Sequence, residues 1–166
     1  DYEIIIADAN SKDRTLKIAK KYGCKIVSGG LPAKGKNNGA NVANGSLLFF
    51  LDADTVLPEN FFKNVLEEFE KRKIDIGSFC LILLPRSKIS TLFLNIFYNQ
   101  PIILLGNAIP HAAVGIIIKK DLFEKIGGFD EDIKLAEDHY LARRAKRMTN
   151  AKCGIFKSTK IFISDR

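Results

Sequence analysis

Two acidic motifs in this sequence have the residue types and spacing to do chemistry. Asp52-Ala53-Asp54 follows the wholly apolar run Leu47-Leu48-Phe49-Phe50-Leu51 and precedes Pro58. Carboxylates two residues apart share a face of an extended strand, and at a strand end they can converge on one hard cation. A divalent ion held that way keeps positions open for phosphate oxygens, which suits Mg²⁺ or Mn²⁺ bridging a nucleotide diphosphate and stabilising it as a leaving group. The plain alternative is a helix-entry turn with solvated acids. The second motif, Glu137-Asp138, precedes Leu141 and Arg143-Arg144 near a helix start, where the dipole favours anions. An acid facing a cleft there could act as general base on an acceptor hydroxyl. Its alternative is an acidic first turn paired with arginines along a solvated helix.

Other polar residues add to or limit this chemistry. Asp8 ends the first apolar run and could accept hydrogen bonds from a base or ribose; equally, Asp8 and Ser11 could cap the next helix. Lys34, Gly35 and Lys36 precede a short helix, where a cation and free N–H groups could meet phosphate. The G-x-x-x-x-G-K-[ST] spacing of a P-loop is absent. His111 and His139 have no i, i+4 partner for zinc. No G-x-S-x-G elbow occurs and no cysteine has a nearby histidine, so covalent nucleophilic hydrolysis has no support.

The elements that must position these residues alternate in type. Tyr2 to Ala7 reads as a buried strand, 14 to 22 as a helix stopped by Gly23, and Cys24 to Ser28 as a second strand. A short helix follows Pro32 and ends near Gly45, and Ser46 to Leu51 forms a third strand. This βαβαβ rhythm predicts an α/β fold with a mostly parallel central sheet flanked by helices, and ligand at the carboxyl ends of its strands. Pro58 opens a helix with the stripe Phe61, Phe62, Val65, Leu66 and Phe69. Strands are expected at Ile76 to Leu84 and Val114 to Lys119, a short helix ending at Gly127-Gly128, a helix from about Ala136 to Met148, and a strand pair around Gly154 to Ser164. From Ile89 to Ile118 there is no Asp, Glu, Lys or Arg. Polar and proline interruptions argue against a transmembrane span there. The helical spacing of Ile89, Leu92, Phe93, Ile96 and Phe97 favours a core helix followed by a buried loop, over a hydrophobic surface facing lipid or a partner.

At 166 residues, 46% hydrophobic and 27% charged, the chain is one domain able to bury a core, and no linker or repeat divides it. The net charge of +7 points to an anionic partner. Basic residues are dispersed without aromatic interleaving, which disfavours nucleic acid. Cys24, Cys80 and Cys153 are isolated and odd in number, so they read as core residues of a reduced, cytoplasmic protein.

Taken together the motifs resemble a known family. Ile4 to Thr15 with Asp8-Ala9-Asn10-Ser11, Lys36-Asn37-Asn38-Gly39 with Ala43-Asn44-Gly45, Phe50-Leu51-Asp52-Ala53-Asp54-Thr55, Gly127-Gly128-Phe129-Asp130-Glu131, and Glu137-Asp138 with Leu141 and Arg143 look like the ordered signature of family 2 inverting glycosyltransferases. The resemblance spans nearly the whole chain. It implies a type A glycosyltransferase fold in a single catalytic domain over residues 1–166, a nucleotide-diphosphate sugar donor, and Mg²⁺ or Mn²⁺ as cofactor. It places Asp8, Lys36 and Asp52 on the nucleotide, Asp54 with Asp52 on the metal, Asp138 with Glu137 as the catalytic acids, and His111 and Gly106 on the acceptor side. The tryptophan-containing motif of processive synthases is absent, which implies single-sugar transfer. The family's first strand and helix have no counterpart, so roughly 30 residues are expected before Asp1. A glycan or lipid-linked acceptor of cell-envelope or other glycan biosynthesis, with peripheral contact at the cytoplasmic face of a membrane, fits the charge and the uncharged segment. A sugar-nucleotide nucleotidyltransferase and a catalytically silent nucleotide-binding domain are the competing readings.

Overall fold

The computed structural model describes residues 1–84, 92–105, 110, 112 and 115–164. Strand β1 (Ile5–Asp8), helix α1 (Thr15–Lys21) and strand β2 (Lys25–Ser28) form a βαβ unit whose strands pair in parallel, Ile5 opposite Lys25 through Asp8 opposite Ser28. Gly29 follows β2 because a side chain there would lie 2.7 Å from the Asp8 carbonyl carbon. Helix α2 (Pro32–Val42) starts on proline, whose missing N–H costs nothing at that position.

Five strands make the second sheet: β3 (Leu47–Phe50), β4 (Thr55–Val56), β5 (Ile76–Leu84), β6 (Ile116–Lys119) and β7 (Cys153–Ser164), in the spatial order β3-β6-β5-β7-β4. Strands β5 and β7 run parallel, whereas β6 is antiparallel to β3 and β5, and β4 is antiparallel to β7. The α/β class stands, but the directions are mixed rather than mostly parallel. The physical reason is β6, which returns between β3 and β5 against their direction and supplies the fully buried Ile116, Ile117 and Ile118.

Alternation along β6 builds two cores. Ile116 and Ile118 pack with Leu48 of β3, with Ala33 and Ala40 of α2, with Phe123 of helix α5 (Lys120–Lys125), and with Leu141 and Ala145 of helix α6 (Glu137–Thr149). Ile117 packs on the opposite face with Phe79, Phe156, Ile161 and Phe61, Val65 and Phe69 of helix α3 (Phe61–Arg72). Helices therefore cover both faces, the arrangement in which short apolar strands lose their surface to water.

Two expectations fail for identifiable reasons. The expected strand pair near the end is one strand, β7. Its register against β5 jumps from Phe79–Phe156 to Cys80–Lys160. The Glu68 carboxylate accepts the Lys157 and Ser158 N–H groups at 3.0 and 2.8 Å, so a polar interruption that reads as a turn is a bulge held by α3.

The second failure is the uncharged segment. A π-helical turn (Asn95–Asn99) leads into helix α4 (Gln100–Leu105). Leu92, Phe93, Ile96 and Phe97 lie outward and exposed, so this is not a core helix on those residues; Ile89 lies outside the described residues. The wider turn directs Asn99 inward instead. Its amide accepts from Leu81 N–H and donates to Leu81 C=O, both at 2.9 Å, and donates to Asn95 at 2.8 Å. Asn99 thus serves the edge of β5 beyond Ser78, where the described pairing with β6 ends.

Candidate active site

The end of β3 and the start of α6 bring Asp52, Glu137 and Asp138 to one place. Strand β3 delivers Asp52 as the chain turns, with the Asp52 carbonyl accepting Thr55 N–H at 3.1 Å and Thr55 Oγ1 at 2.6 Å. Helix α6 begins after Ala136, which adopts the left-handed conformation (φ 61°), and its first turn carries Glu137 and Asp138. Asp138 shares its inward face with Leu141, Ala142 and Ala145, so packing of the helix buries an acid that solvent would otherwise claim.

Lys36 of α2 closes the cluster. Its ammonium donates to Asp138 Oδ1 at 2.7 Å and to Glu137 Oε1 at 2.9 Å, and stands 5.2 Å from the centre of the Phe129 ring. Asn37 fixes that ring by donating to the Phe129 carbonyl at 2.9 Å and accepting the Phe129 N–H at 2.8 Å. Gly128, at φ 66°, makes the clamp fit, because a side chain there would lie 2.8 Å from Asn37 Oδ1. Sequence reasoning marked Asn37 and Phe129 as motif residues without a role; their positions, some ninety residues apart, gave no sign that they meet.

The electrostatics follow from burial and crowding. Asp138 is pushed up to about 6, chiefly by loss of solvent; Lys36 pulls it down, and Glu137 and Asp52 push it further up. Burial works against the Lys36 charge, but the Asp138 and Glu137 carboxylates outweigh it and raise its pKa. Asp52 remains exposed to solvent, yet the surrounding protein raises its carboxyl, Lys36 lowers it, and Asp54 and Glu137 raise it again. Asp52, Asp54, Glu137, Asp138 and Lys36 therefore form one coupled group.

Tyr98 reaches the same neighbourhood from the π-helical turn. Its phenol is pushed up to about 12, first by burial and then by Cys80 and Asp138. A single tyrosine in an apolar run carries no sequence signal for this position.

Asp8 makes its hydrogen bonds within its own turn. Its carboxylate accepts Ser11 N–H at 3.0 Å, and the Ser11 and Asn10 bonds hold it below the usual carboxylate range. This bond closes a turn and does not cap the helix: α1 begins at Thr15, with Arg14 at its N-cap position and no side-chain cap hydrogen bond. Lys34 is exposed at the start of α2. His139 is half-buried, and burial followed by Arg143 lowers its imidazole. His111 and Gly106 lie outside the described residues. Cys80 and Cys153 are buried, as expected of core residues, and Cys24 is half-buried. An open cavity of about 370 Å³ lies beside the Asn37 clamp, lined by Asn41, Lys120, Phe123, Glu124 and Glu131 among others; none of the clustered acids lines it.

Like-charge repulsion between oxygen donors is what a hard divalent cation relieves, and the Asp54 charge that helps raise the Asp52 carboxyl makes this pair suited to Mg²⁺ or Mn²⁺. Among the described residues no group of three or more His, Cys, Asp or Glu could hold a metal. A two-carboxylate site fits an ion whose other ligands are water and substrate phosphate.

The chain has clear similarities. The family model described as glycosyl transferase family 2 matches residues 1–127, a span that includes Lys36, Asp52 and Asp54 and ends before Glu137. The minor teichoic acid biosynthesis protein GgaB of Bacillus subtilis (strain 168) is 29% identical over 149 residues, covering 82% of this chain and 16% of GgaB. Among solved structures, S. aureus TarS superposes with a TM-score of 0.76 at 20% identity, over 98% of this chain and 31% of that one. TarS 1–349 in complex with UDP-GlcNAc gives 0.75 at 20% identity, over 99% of this chain and 50% of that one. These structural likenesses show a shared fold, and the chain spans 16% of GgaB, 31% of TarS and half of TarS 1–349.

Proposed function

This chain belongs to glycosyl transferase family 2, and from that premise we propose that residues 1–166 are the catalytic domain of an inverting, non-processive glycosyltransferase. It moves one sugar from a nucleotide-diphosphate donor to an acceptor hydroxyl or phosphate. The convergence of Asp52, Asp54, Glu137 and Asp138 around Lys36, from motifs up to about a hundred positions apart, carries this reading. The UDP-GlcNAc complex of TarS supports a UDP-sugar as donor, and the likeness to GgaB supports a cell-envelope polymer as the product's destination.

The chemistry assigned to the residues is a single displacement. Asp138, raised to about 6, is ionised at neutral pH and takes the proton of the acceptor O–H. The acceptor oxygen forms the new bond to the anomeric carbon on the face opposite the diphosphate. The old carbon–oxygen bond breaks and its electron pair leaves with the diphosphate, so configuration inverts once. Asp54 and Asp52 would hold Mg²⁺ or Mn²⁺, which supplies positive charge to the departing diphosphate. Asp8 and Asp52 contact the nucleoside.

The uncharged segment forms the acceptor side. Exposed Phe93, Ile96, Phe97 and Leu104, with a net charge of +7, suit a lipid-linked acceptor presented at the cytoplasmic face of a membrane. No helix of the described residues is long and apolar enough to cross a membrane.

Transfer from a panel of UDP-, GDP- and dTDP-sugars, measured on the full-length protein with Mg²⁺ or Mn²⁺, tests the reading. Asp54→Ala and Asp138→Ala are each expected to abolish turnover while the protein stays folded. Undiminished turnover in either variant refutes the assignment.

A further inference from the structure

We propose that Lys36 is a positioning residue for the base: it pins one oxygen of Asp138 against α2 so that the other faces the acceptor. This rests on the glycosyltransferase reading above and departs from the nucleotide contact that the family resemblance suggests for the same lysine.

The geometry carries the proposal. A lysine ammonium has three N–H groups and no acceptor. Two of them are engaged at 2.7 and 2.9 Å, on Oδ1 of Asp138 and Oε1 of Glu137. The ammonium also lies over the Phe129 ring, a favourable position for a cation. The three side chains are largely buried, with 16% exposure at Lys36 and 11% at each acid. One of these charge-assisted bonds holds Asp138 Oδ1 and the other ties the ammonium to Glu137, so the lysine that restrains the base is itself restrained.

The platform beneath the ammonium is itself fixed. Asn37, the next residue of α2, holds both backbone groups of Phe129. Residues 36 and 37 point about 100° apart around the helix, so one turn of α2 docks on the Gly128–Phe129 turn and on the start of α6 at once. With two of its three N–H groups on carboxylates, Lys36 has at most one left for a diphosphate oxygen. Its electrostatic role also follows: Asp52, Glu137 and Asp138 are mutually repulsive, and Lys36 is the cation that lets them share the site.

A base displaced by about 1 Å can cost about a hundredfold in rate while leaving substrate binding intact. Lys36→Met in the full-length protein should therefore lower kcat by about a hundredfold. KM for the sugar nucleotide and the calorimetric Kd for UDP should stay within about threefold. Lys36→Arg, which keeps the charge, should recover part of the lost kcat. If the methionine variant does not fold, Lys36→Gln, whose shorter neutral side chain cannot hold Asp138 and Glu137 together, should lower kcat by at least about tenfold with KM and Kd again within about threefold.

Each alternative outcome is decisive. UDP binding weakened about tenfold or more makes Lys36 a donor ligand and overturns the proposal, as does an unchanged kcat. A wild-type protein that transfers no sugar overturns the reading on which the proposal rests, and is distinguishable because it shows before any variant is made.

Discussion

Replacing Asp138 with asparagine should abolish transfer and at the same time stabilise the protein, and the size of that gain follows from the site. Asp138 is 8% exposed, and burial lifts its carboxyl from 3.8 to about 6 even with Lys36 bonded to it. The folded chain thus keeps this proton to higher pH than the unfolded chain does. Stability contributed by the protonated form is lost as pH rises from about 4 to about 6, and stays lost above. Two pKa units correspond to about 3 kcal/mol, the ceiling on the cost of the ionised acid at pH 8. Asparagine matches the protonated side chain in shape, still offers Oδ1 to Lys36, and has no proton to lose. Its advantage over aspartate should be about 3 kcal/mol at pH 8 and about 1 kcal/mol at pH 4.5. At roughly 2–4 °C per kcal/mol for a chain of this size, the melting temperature at pH 8 rises by several degrees. Melts of both proteins at the two pH values, in EDTA so that no cation neutralises the acids, measure it. A variant less stable than wild type at pH 8, or one with equal gains at both pH values, refutes the burial argument.

Asn99→Ala should destabilise the protein by roughly 2–4 kcal/mol, because it strips the partners from Leu81 N–H and C=O and leaves a small void. The urea midpoint should fall with an unchanged m-value, and an unshifted midpoint would mean that water replaces the amide at no cost. Phe93→Ser with Phe97→Ser should reduce co-sedimentation with anionic vesicles and leave the melting temperature unchanged, since both rings are exposed; binding indifferent to anionic lipid and to the pair removes the membrane from the reading.

The legible parts of the sequence are those decided by local pattern. Strand β5 runs over Ile76–Leu84 as its apolar run predicts, and α6 begins at the Glu137-Asp138 step. The acids at the end of β3 were visible because a strand without a polar residue stops on them. Long-range contacts changed what local pattern could not anticipate. Lys157-Ser158-Thr159-Lys160 has turn composition, but Glu68 of α3 converts it into a bulge inside one strand. Leu92, Phe93, Ile96 and Phe97 have the spacing of a buried stripe, but the π-helical turn gives the inward position to Asn99 because the β5 edge needs an amide more than another methyl group.

The pairing of Lys36 with Asp138 belongs to the same class, being separated by 102 positions. What makes it obligatory is the composition of α2. Pro-Ala-Lys-Gly-Lys-Asn-Asn-Gly-Ala-Asn-Val carries two glycines and three asparagines, a poor helix by intrinsic preference. Such a segment is held by its contacts rather than by its propensity. Its small residues Ala33, Gly35 and Ala40 are buried, and Ala33 and Ala40 share a core with Leu141, Ala142 and Ala145 of α6, so the two helices pack close enough for one lysine to reach the acids. A bulkier and more helical α2 would be a better helix in isolation and would stand too far from α6 to hold the acid pair. The weak local sequence of α2 is therefore a requirement of the site, and the acids at Glu137 and Asp138 depend on packing thirty residues from the chain's start as much as on the helix that carries them.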